Sequence, residues 1–414
     1  MGTLANTYKN YRYWTLMGLC SSAKQTNNSM GSTFTSMEDD TSSTSNSGAN
    51  KSGATSRAAR YSGSPATTTT TPTTTTTNTT TNNNNPVHTE PINDVIVGAL
   101  STELFTCSDD TTVCLLDTTK SGAEHVVQQW KEHKRPVSRL TYGGNTDALW
   151  SCSRDLTMKM WRRDQSGSVQ TIEDGHSLNI TALALNPSES LLCSGSRDTT
   201  VCLWDVTTGA LVRRKKTSRN LVTCLKWLSE STVVQGSEDL KLRVWDCRDH
   251  VIEAAATMTG YVYFPLCMDV IEEHYVCTGS KGFDGVGCEV RLWDMRKNQC
   301  VKEMSGHRQS VVGCQFYGSK DTIVTVSKDQ MLKIWSVECH TCVADVLGQT
   351  SSQFTCVAAA RVGMGGSGGG SGGGGAGSGG ASSGWLYCGA ASGYSKYKYD
   401  GGVKVEHVKT HSNE

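Results

Sequence analysis

The amino-acid sequence predicts an all-β protein assembled from seven consecutive repeats, and two observations support this fold class. Five apolar segments end in a tryptophan, and these tryptophans recur at a nearly constant interval of about 40–45 residues, with one longer step before the fourth. Inside each segment apolar and polar residues alternate between turns rich in Ser, Asp and Gly, as antiparallel strands require. The five tryptophans are Trp161, Trp204, Trp245, Trp293 and Trp335. This period indicates a repeat architecture in which successive small sheets pack against one another.

Two weaker copies bring the number of repeats to seven. Upstream, Cys107–Asp117 has the same shape, with Leu116 in the tryptophan position and one interval before the first tryptophan. Downstream, Leu386–Asp400 has Tyr399 in that position, but it follows the last tryptophan by more than one interval. Subtraction of the glycine-rich run Gly363–Gly384 restores the usual interval. A period of this length with a terminal Trp-Asp is typical of WD40 repeats and predicts a seven-bladed β-propeller.

Composition divides the chain into three parts. Residues 1–87 are rich in Ser, Thr and Asn, and threonine occupies all but two positions of Thr67–Thr81. Such a segment buries too little apolar surface to offset its ordering entropy, so we expect a disordered tether. The propeller is expected at 88–410, with the glycine-rich run 363–384 as a loop inserted in its last blade, followed by a tail at 411–414.

Each blade is predicted to contain four strands from contiguous sequence. In the third repeat these are ITALAL, LLCSG, TVCLWD and ALVRRK, from the inner to the outer edge. The final outer strand is expected at Val403–Lys409. No N-terminal strand is then needed to complete the last blade, so the contact between blades one and seven is expected to be the weakest in the ring.

Charge and composition narrow the class of protein. The chain has 39 Lys and Arg and 39 Asp and Glu, so its formal net charge of zero provides no argument for nucleic-acid binding. It lacks an apolar run of about 18 residues and a signal-peptide core, which predicts neither a membrane-spanning nor a secreted protein. Its 17 cysteines lack disulfide-type spacing and lie mostly in strands, which favours the reducing cytoplasm.

Histidines and aspartates recur in pairs with one constant separation along the chain. Such a pair could serve acid–base catalysis, but a catalytic constellation occurs once, whereas this one repeats. The repetition instead predicts hydrogen bonding inside each blade, together with a Ser or Thr and the tryptophan. The predicted structural residues are His133, Asp155, Trp161, His176, Asp198, Trp204, Asp239, Trp245, Trp293, His307, Asp329 and Trp335.

No catalytic, cofactor or metal site is predicted. Cys339 and Cys342 form a CxxC pair, but zinc requires a second pair and none is evident. Gly365–Gly369 matches GxSxG inside the glycine-rich run, where the strand–turn–helix context of a nucleophile elbow is missing. No convergent set of nucleophile, base and oxyanion donors can be named, so an enzyme is not expected.

Two segments are candidates for interaction. The first is a basic cluster, which is either a solvated outer strand and turn or a contact for an acidic partner or anionic lipid headgroups. Its members are Arg213, Arg214, Lys215, Lys216 and Arg219. The second is the loop Lys281–Glu289, which lengthens the fifth repeat. It is either a neutral insertion or a glycine-framed loop that exposes Phe283 as a binding anchor.

The N-terminus contains a candidate lipid-attachment signal. Removal of Met1 would expose Gly2, the acceptor in N-myristoylation, although Asn6 stands where the pattern requires Ser or Thr. One acyl chain binds membrane only marginally, so palmitoylation of Cys20 or the nearby basic and aromatic residues would supply a second signal. A mitochondrial transit peptide and a plain disordered tail are the alternatives.

Four segments resemble a particular family, the WD repeat-containing protein thirty-one family. They are CSGSRDTTVCLWDVTTG at Cys193–Gly209, SRNLVTCLKW at Ser218–Trp227, GSEDLKLRVWD at Gly236–Asp246 and GFDGVGCEVRLWD at Gly282–Asp294. The glycine-framed loop in the last segment is the most specific element, and the Met-Gly start is also similar. The Thr/Asn tether and the glycine-rich insertion depart from this family.

The resemblance implies a non-catalytic scaffold for cilium or flagellum assembly and ciliary cargo trafficking. It further implies partners among regulators of Arf-like GTPases, namely ELMO-domain proteins and the retinitis pigmentosa two protein, and links to intraflagellar transport and the Bardet–Biedl complex. Localisation at a cilium, flagellum or basal body is expected. Two other roles stay open, a structural component of axonemal microtubule doublets and a substrate-receptor adaptor of a ubiquitin ligase.

Overall fold

The computed structural model describes residues 87–216, 219–248, 254–361 and 383–412. In these ranges 28 strands form seven antiparallel sheets of four strands each. Gly2, Cys20, the predicted tether up to residue 86 and residues 362–382 of the glycine-rich region lie outside the described residues. Within the part of the chain that is described, no helix combines the length and apolar character needed to cross a membrane.

Every sheet is one blade and consists of four consecutive strands, with its first strand innermost. Blades one to four contain β1 (Ile92–Val97), β2 (Glu103–Ser108), β3 (Val113–Asp117), β4 (Val126–Trp130), β5 (Val137–Gly143), β6 (Ala148–Ser153), β7 (Met158–Trp161), β8 (Gln170–Ile172), β9 (Ile180–Leu185), β10 (Leu191–Ser196), β11 (Thr200–Asp205), β12 (Leu211–Lys216), β13 (Val222–Trp227), β14 (Thr232–Ser237), β15 (Lys241–Asp246) and β16 (Ala256–Met258). A short 3-10 helix, Gly122–His125, precedes β4.

Blades five to seven continue the same order. They contain β17 (Pro265–Ile271), β18 (Tyr275–Ser280), β19 (Val290–Asp294), β20 (Gln299–Met304), β21 (Val311–Tyr317), β22 (Ser319–Ser327), β23 (Met331–Ser336), β24 (Thr341–Leu347), β25 (Phe354–Arg361), β26 (Gly384–Ala390), β27 (Gly393–Tyr399) and β28 (Val405–Ser412). The structure is therefore a seven-bladed β-propeller, and the predicted fold class is confirmed.

The seven inner strands form a closed ring around a central channel. Each inner strand contacts the inner strand of the next blade, and β25 contacts β1. The core consists of seven apolar clusters, one at each interface between neighbouring blades. Apolar burial between blades therefore holds the ring together.

Polar side chains on the inner strands join neighbouring blades. Asp94 Oδ2 accepts a hydrogen bond from the backbone N–H of Leu140 in the next blade at 3.0 Å. Asp269 Oδ2 makes the same bond with Phe316 N at 3.0 Å. Burial raises the pKa of both carboxyl groups, and the cations nearby offset that effect only in part. These carboxylates therefore connect blades inside the channel wall.

The seventh blade corrects one assignment from the sequence. In the third blade Trp204 pairs with Leu192 on the second strand. In the seventh blade Leu386 occupies the position of Leu192, and it pairs with Tyr397. Tyr397, and not Tyr399, therefore stands in the tryptophan position. The reason is a turn between β26 and β27 that is one residue shorter than its counterpart between β10 and β11. Because this turn lacks one residue, counting residues along the sequence assigned the wrong residue to the tryptophan position.

Blades one and seven meet through a network of aromatic and polar side chains. The Tyr394 hydroxyl lies 2.7 Å from His125 Nε2, while His125 Nδ1 lies 2.8 Å from the carbonyl oxygen of Asp117. The His411 ring stacks on His125 with centroids 4.1 Å apart, and Lys396 Nζ donates to Thr118 Oγ1 at 3.2 Å. Because His411 packs here, β28 extends to residue 412, past the expected strand end at 409 and the expected propeller boundary at 410.

Acid is expected to weaken the contact between these two blades. Burial, together with the nearby charges of His125, Lys409 and Lys396, lowers the pKa of His411 to about 3. The pKa of His125 is also lowered, chiefly by burial. Both rings are therefore neutral in the fold, so their contribution to stability is present above pH 6.5 and is lost as the pH falls towards 3.

The size of this effect can be measured by chemical denaturation between pH 7 and pH 4. Since His411 is only half-buried, solvent screening reduces the loss, and we expect about 1–2 kcal/mol. His411→Phe keeps a stacked ring without a titrating group and should flatten the pH dependence. His407→Phe, an exposed position on the same strand, is the matched control and should leave the dependence unchanged. Equal slopes in all three proteins would contradict the prediction.

Candidate protein-binding site

A hydrogen-bonded relay repeats in three blades. In the second blade His133 Nδ1 lies 2.9 Å from Asp155 Oδ2, and His133 Nε2 lies 2.8 Å from Ser151 Oγ. The Trp161 indole N–H donates to the same Ser151 hydroxyl at 2.8 Å. Blades three and six repeat this arrangement with His176, Asp198, Ser194 and Trp204, and with His307, Asp329, Thr325 and Trp335. The structure thus brings together the residues that the constant His–Asp separation singled out.

The chemistry of this relay suits a structural role. The three histidine side chains are fully buried, and both nitrogens of each ring already have partners. Burial opposes ionisation of Asp155, but the hydrogen bond and charge of His133 outweigh it and hold the pKa of this carboxyl well below its ordinary value. Similar contacts lower the pKa of Asp329 to about 2. A general base needs a nitrogen free for its substrate, which these histidines lack.

The first blade contains a relay that the sequence analysis missed. His88 bonds Asp110 through Nδ1 at 3.0 Å and Thr106 through Nε2 at 2.8 Å, while Leu116 fills the tryptophan position. Burial opposes protonation of His88, but its hydrogen bond to Asp110 outweighs this effect and raises its pKa to about 9. His88 and Asp110 have the same separation as the other His–Asp pairs, so that spacing could have identified them.

The fourth blade lacks the shared relay. Asp239 pairs with Arg243, with Nη1 3.1 Å from Oδ1, and Trp245 donates separately to Gln235 Oε1 at 2.7 Å. The structure therefore does not bring Asp239 and Trp245 into one network.

In the fifth blade a tyrosine replaces the histidine. The Tyr261 hydroxyl lies 2.8 Å from Thr278 Oγ1, which also accepts the Trp293 indole N–H at 3.2 Å. Tyr261 stands four residues before β17, as His176 stands four before β9. Position relative to the inner strand was the signal that could have identified it.

One end of the central channel opens into a cavity of about 500 Å³. In six blades the residue after the final Ser of the second strand donates its backbone N–H to a carbonyl just before the inner strand, at 2.9–3.1 Å. These six residues, here called the mouth rim, are Asp109, Arg154, Arg197, Glu238, Lys281 and Lys328. Because the same bond places each of them, their backbones occupy equivalent positions around the opening. Four of the six contribute to the cavity wall.

The mouth rim carries more positive than negative charge. Four of its members are cations and two are acids. Arg154 lies 3.5 Å from Asp109, whereas Arg197 and Lys328 are exposed and form no ion pair with any described residue. Sequence reasoning missed these residues, although the tripeptides Ser-Arg-Asp and Ser-Lys-Asp recur at the same place in the repeats. Anionic groups are therefore the complementary ligands for this opening.

The loop that contains Phe283 is fixed beside the mouth rim. Its backbone bonds itself, from Phe283 N to Val286 O at 3.1 Å, and bonds the sixth blade, from Gly285 N to Arg308 O at 2.9 Å. The Phe283 side chain is nevertheless 50% exposed. A large apolar side chain held in place but left in water is a suitable binding anchor.

Phe283 belongs to a larger apolar surface, here called the aromatic patch. The Tyr263 ring meets Phe283 edge to face, with centroids 6.0 Å apart. Val262 and Val286 are exposed on the same loops, and Phe264 reaches the cavity wall. The patch comprises Val262, Tyr263, Phe264, Phe283 and Val286. The aromatic patch therefore adds apolar surface next to the opening of the channel.

The basic cluster on the outer edge does not present a uniform charged face. Arg213 donates to the carbonyl oxygen of Cys247 at 2.7 Å, and Lys215 Nζ lies 4.5 Å above the Trp245 ring. Arg214 lies 3.6 Å from Asp198. Three of the five cations are thus engaged with their own or the next blade. Lys216 ends β12, and the backbone N–H of Arg219 bonds Asp239.

The CxxC pair lies at a turn on the outer part of the sixth blade. Cys339 and Cys342 lie exposed at the turn between β23 and β24. Although the Cys342 residue is exposed, partial burial of its thiol raises the pKa of that thiol, which disfavours the thiolate that binds metal. Among the described residues no group of three or more His, Cys, Asp or Glu side chains is arranged to hold a metal ion.

Comparison with known proteins identifies the repeats. Residues 167–205 and 298–336 match the WD domain, G-beta repeat family. These segments end at the Trp-Asp of the third blade and at the Trp-Ser of the sixth. The chain therefore contains WD40 repeats within a seven-bladed propeller, a fold that typically serves as a non-catalytic binding scaffold.

Three proteins illustrate what the chain is similar to. Human kinesin-like protein KIF21B is 28% identical over 44% of this chain and 12% of its own length. Nuclear distribution protein PAC1-2 of Uncinocarpus reesii is 27% identical over 60% of both chains. F-box/WD repeat-containing protein sel-10 of Caenorhabditis elegans is 29% identical over 28% of this chain and 19% of its own length. The chain thus spans less than two thirds of each relative.

Proposed function

We propose that this protein is a non-catalytic adaptor for ciliary or flagellar protein trafficking. Its propeller would hold trafficking proteins at the channel mouth, and its N-terminus would attach it to membrane through Gly2 and Cys20. The partners proposed are regulators of Arf-like GTPases, intraflagellar transport proteins and the Bardet–Biedl complex. The place of action proposed is the cilium, flagellum or basal body.

The glycine-framed loop is the observation that carries this proposal. Gly282–Asp294 is the segment that most specifically resembles the WD repeat-containing protein thirty-one family. In the fold this segment presents Phe283 beside the mouth rim, half in solvent and fixed to the neighbouring blade through Arg308. A structural insertion would bury its one aromatic side chain, whereas a binding loop exposes it.

A second candidate function is the substrate-receptor adaptor of a ubiquitin ligase. The match with F-box/WD repeat-containing protein sel-10 favours it, since that relative combines similar repeats with an F-box by name. Proximity labelling from the propeller distinguishes the two roles. Enrichment of cullin subunits would favour the ligase adaptor, and enrichment of intraflagellar transport proteins would favour the ciliary adaptor.

Localisation of a C-terminally tagged protein in ciliated cells tests the ciliary proposal. We expect signal at the cilium or basal body for the unmodified protein and loss of that signal for Gly2→Ala, which removes the acyl acceptor. Thr3→Ala is the matched control, because it alters the neighbouring residue and keeps the acceptor. Cys20→Ser should weaken membrane attachment in the same direction.

The other outcomes separate the alternatives. Ciliary signal that persists in Gly2→Ala and resists detergent extraction would favour the axonemal role. Signal that stays away from cilia in every variant would overturn the ciliary proposal and leave a WD40 scaffold with other partners.

A further inference from the structure

Two chemically different surfaces meet at the channel mouth. Lys281 belongs to the mouth rim, and its Nζ lies 4.9 Å from the ring centre of Phe264 and 5.8 Å from that of Phe283. Phe264 also lines the cavity. The cationic rim and the aromatic patch are therefore contiguous, and a single ligand can contact both.

We propose that the channel mouth binds an acidic protein segment that carries an aromatic or large aliphatic side chain. Its carboxylates would contact Arg197 and Lys328, and its apolar side chain would pack against Phe283 and Tyr263. This inference rests on the proposed adaptor role, because it names the chemistry of the partner that the adaptor would hold.

Charge complementarity argues for the acidic part of the ligand. Arg197 and Lys328 line the cavity, are exposed, and have no carboxylate partner among the described residues. Arg308 adds a third exposed cation at the edge of the Phe283 loop. Guanidinium groups bind carboxylates through paired hydrogen bonds, and a concave site strengthens such contacts by limiting solvent.

The exposed apolar surface argues for the anchor. Phe283 and Val286 are 50% and 59% exposed, and Val262 is 47% exposed. Their backbone is fixed by hydrogen bonds within the loop and to the sixth blade, so binding would cost little ordering entropy in the protein. An aromatic or Leu side chain of the ligand would bury this surface.

A protein segment fits this site better than a phosphate polymer or a membrane. Asp109 and Glu238 interrupt the cations of the rim, so an unbroken line of phosphates would meet like charges. The cavity of about 500 Å³ is concave, whereas a membrane surface is flat. A segment with spaced carboxylates can place each acid opposite a cation and avoid both rim acids.

Fluorescence polarisation with the purified full chain tests this inference. The probe is a short labelled peptide with one Phe between Asp and Glu residues, and two matched peptides replace its acids by amides or its Phe by Ser. We expect binding of the acidic Phe peptide alone, and weaker binding as salt is raised. Arg197→Glu combined with Lys328→Glu should weaken it by about tenfold or more, and Phe283→Ser by about thirtyfold.

Matched controls lie on the opposite face of the ring. Lys297→Glu and Val403→Ser change exposed residues in turns between the third and fourth strands of their blades, and neither should alter the affinity. Thermal unfolding of each variant verifies that the fold is retained. Failure of the acidic Phe peptide to bind, or equal binding to the rim variants and the controls, would overturn the inference. Tighter binding of single-stranded DNA or phosphatidylserine vesicles at the same residues would overturn it as well.

The result is separable from the test of ciliary function. Peptide binding by a protein that does not reach the cilium would support the binding site and reject the ciliary role. Ciliary localisation that is retained in the rim and Phe283 variants, without peptide binding, would reject this site and keep the adaptor proposal.

Discussion

Replacement of Trp161 by Ala is expected to lower the free energy of unfolding by about 3–5 kcal/mol. Trp161 is 1% exposed, and its ring packs against Trp130 of the preceding blade with centroids 5.7 Å apart. Its indole N–H also donates to Ser151, which holds His133. The substitution therefore leaves a cavity between two blades and removes one partner from a buried hydroxyl. Chemical denaturation followed by circular dichroism measures the loss.

Two variants separate the contributions. Trp161→Phe retains most of the apolar volume but loses the N–H, so we expect a loss of about 1–2 kcal/mol. Val403→Ala changes a side chain that is 69% exposed and should shift stability by less than about 0.5 kcal/mol. A loss below about 1 kcal/mol for Trp161→Ala would mean that the tryptophan does not hold these blades together.

The regular spacing of tryptophans was sufficient to predict the propeller. Trp161, Trp204, Trp293 and Trp335 each lie in an apolar cluster between two blades, so periodic burial in space requires periodic apolar residues in sequence. The same regularity predicted the His–Asp pairs, since both residues occupy turns of fixed length. Blade count and the relays of blades two, three and six are therefore local properties of the repeat.

The same reasoning failed where a turn differs in length from its counterparts or where a different residue type takes the same role. Tyr399 was assigned to the tryptophan position because the sequence count assumes turns of equal length, and the shorter turn before β27 placed Tyr397 there instead. Tyr261 escaped notice because it performs the hydrogen bonding of histidine with a different side chain. Pairing with Leu386 on the second strand, which the fold shows, identifies Tyr397, and position before the inner strand identifies Tyr261.

The distribution of cations shows why sequence proximity misleads in a propeller. Arg213 to Lys216 are adjacent in sequence, but successive side chains of a strand point to opposite faces. Two of them contact blade four and a third contacts Asp198. Arg197 and Lys328 lie three repeats apart in sequence, yet equivalent backbone bonds bring both to the channel mouth. A shared binding surface here arises from repetition of one position.

Replacement of Tyr394 by Ala should open the contact between the first and last blades. Tyr394 is 0% exposed, its hydroxyl bonds His125, and its ring stacks on His411 with centroids 4.8 Å apart. We expect a loss of about 3–5 kcal/mol. Since no strand is exchanged between these blades, amide hydrogen exchange should rise most in β1 and β28. Exchange followed by mass spectrometry locates the opening.

Tyr397→Ala is the matched control for this experiment. Tyr397 lies on the same strand and is also 0% exposed, but it packs in the cluster between blades six and seven, whereas Tyr394 packs in the cluster between blades seven and one. A similar total loss of stability is expected, with faster exchange in β22 and β23 and retained protection in β1. Identical exchange patterns in the two variants would show that the ring loosens as one unit. Distinct patterns would locate its weakest contact where the chain closes on itself without exchanging a strand.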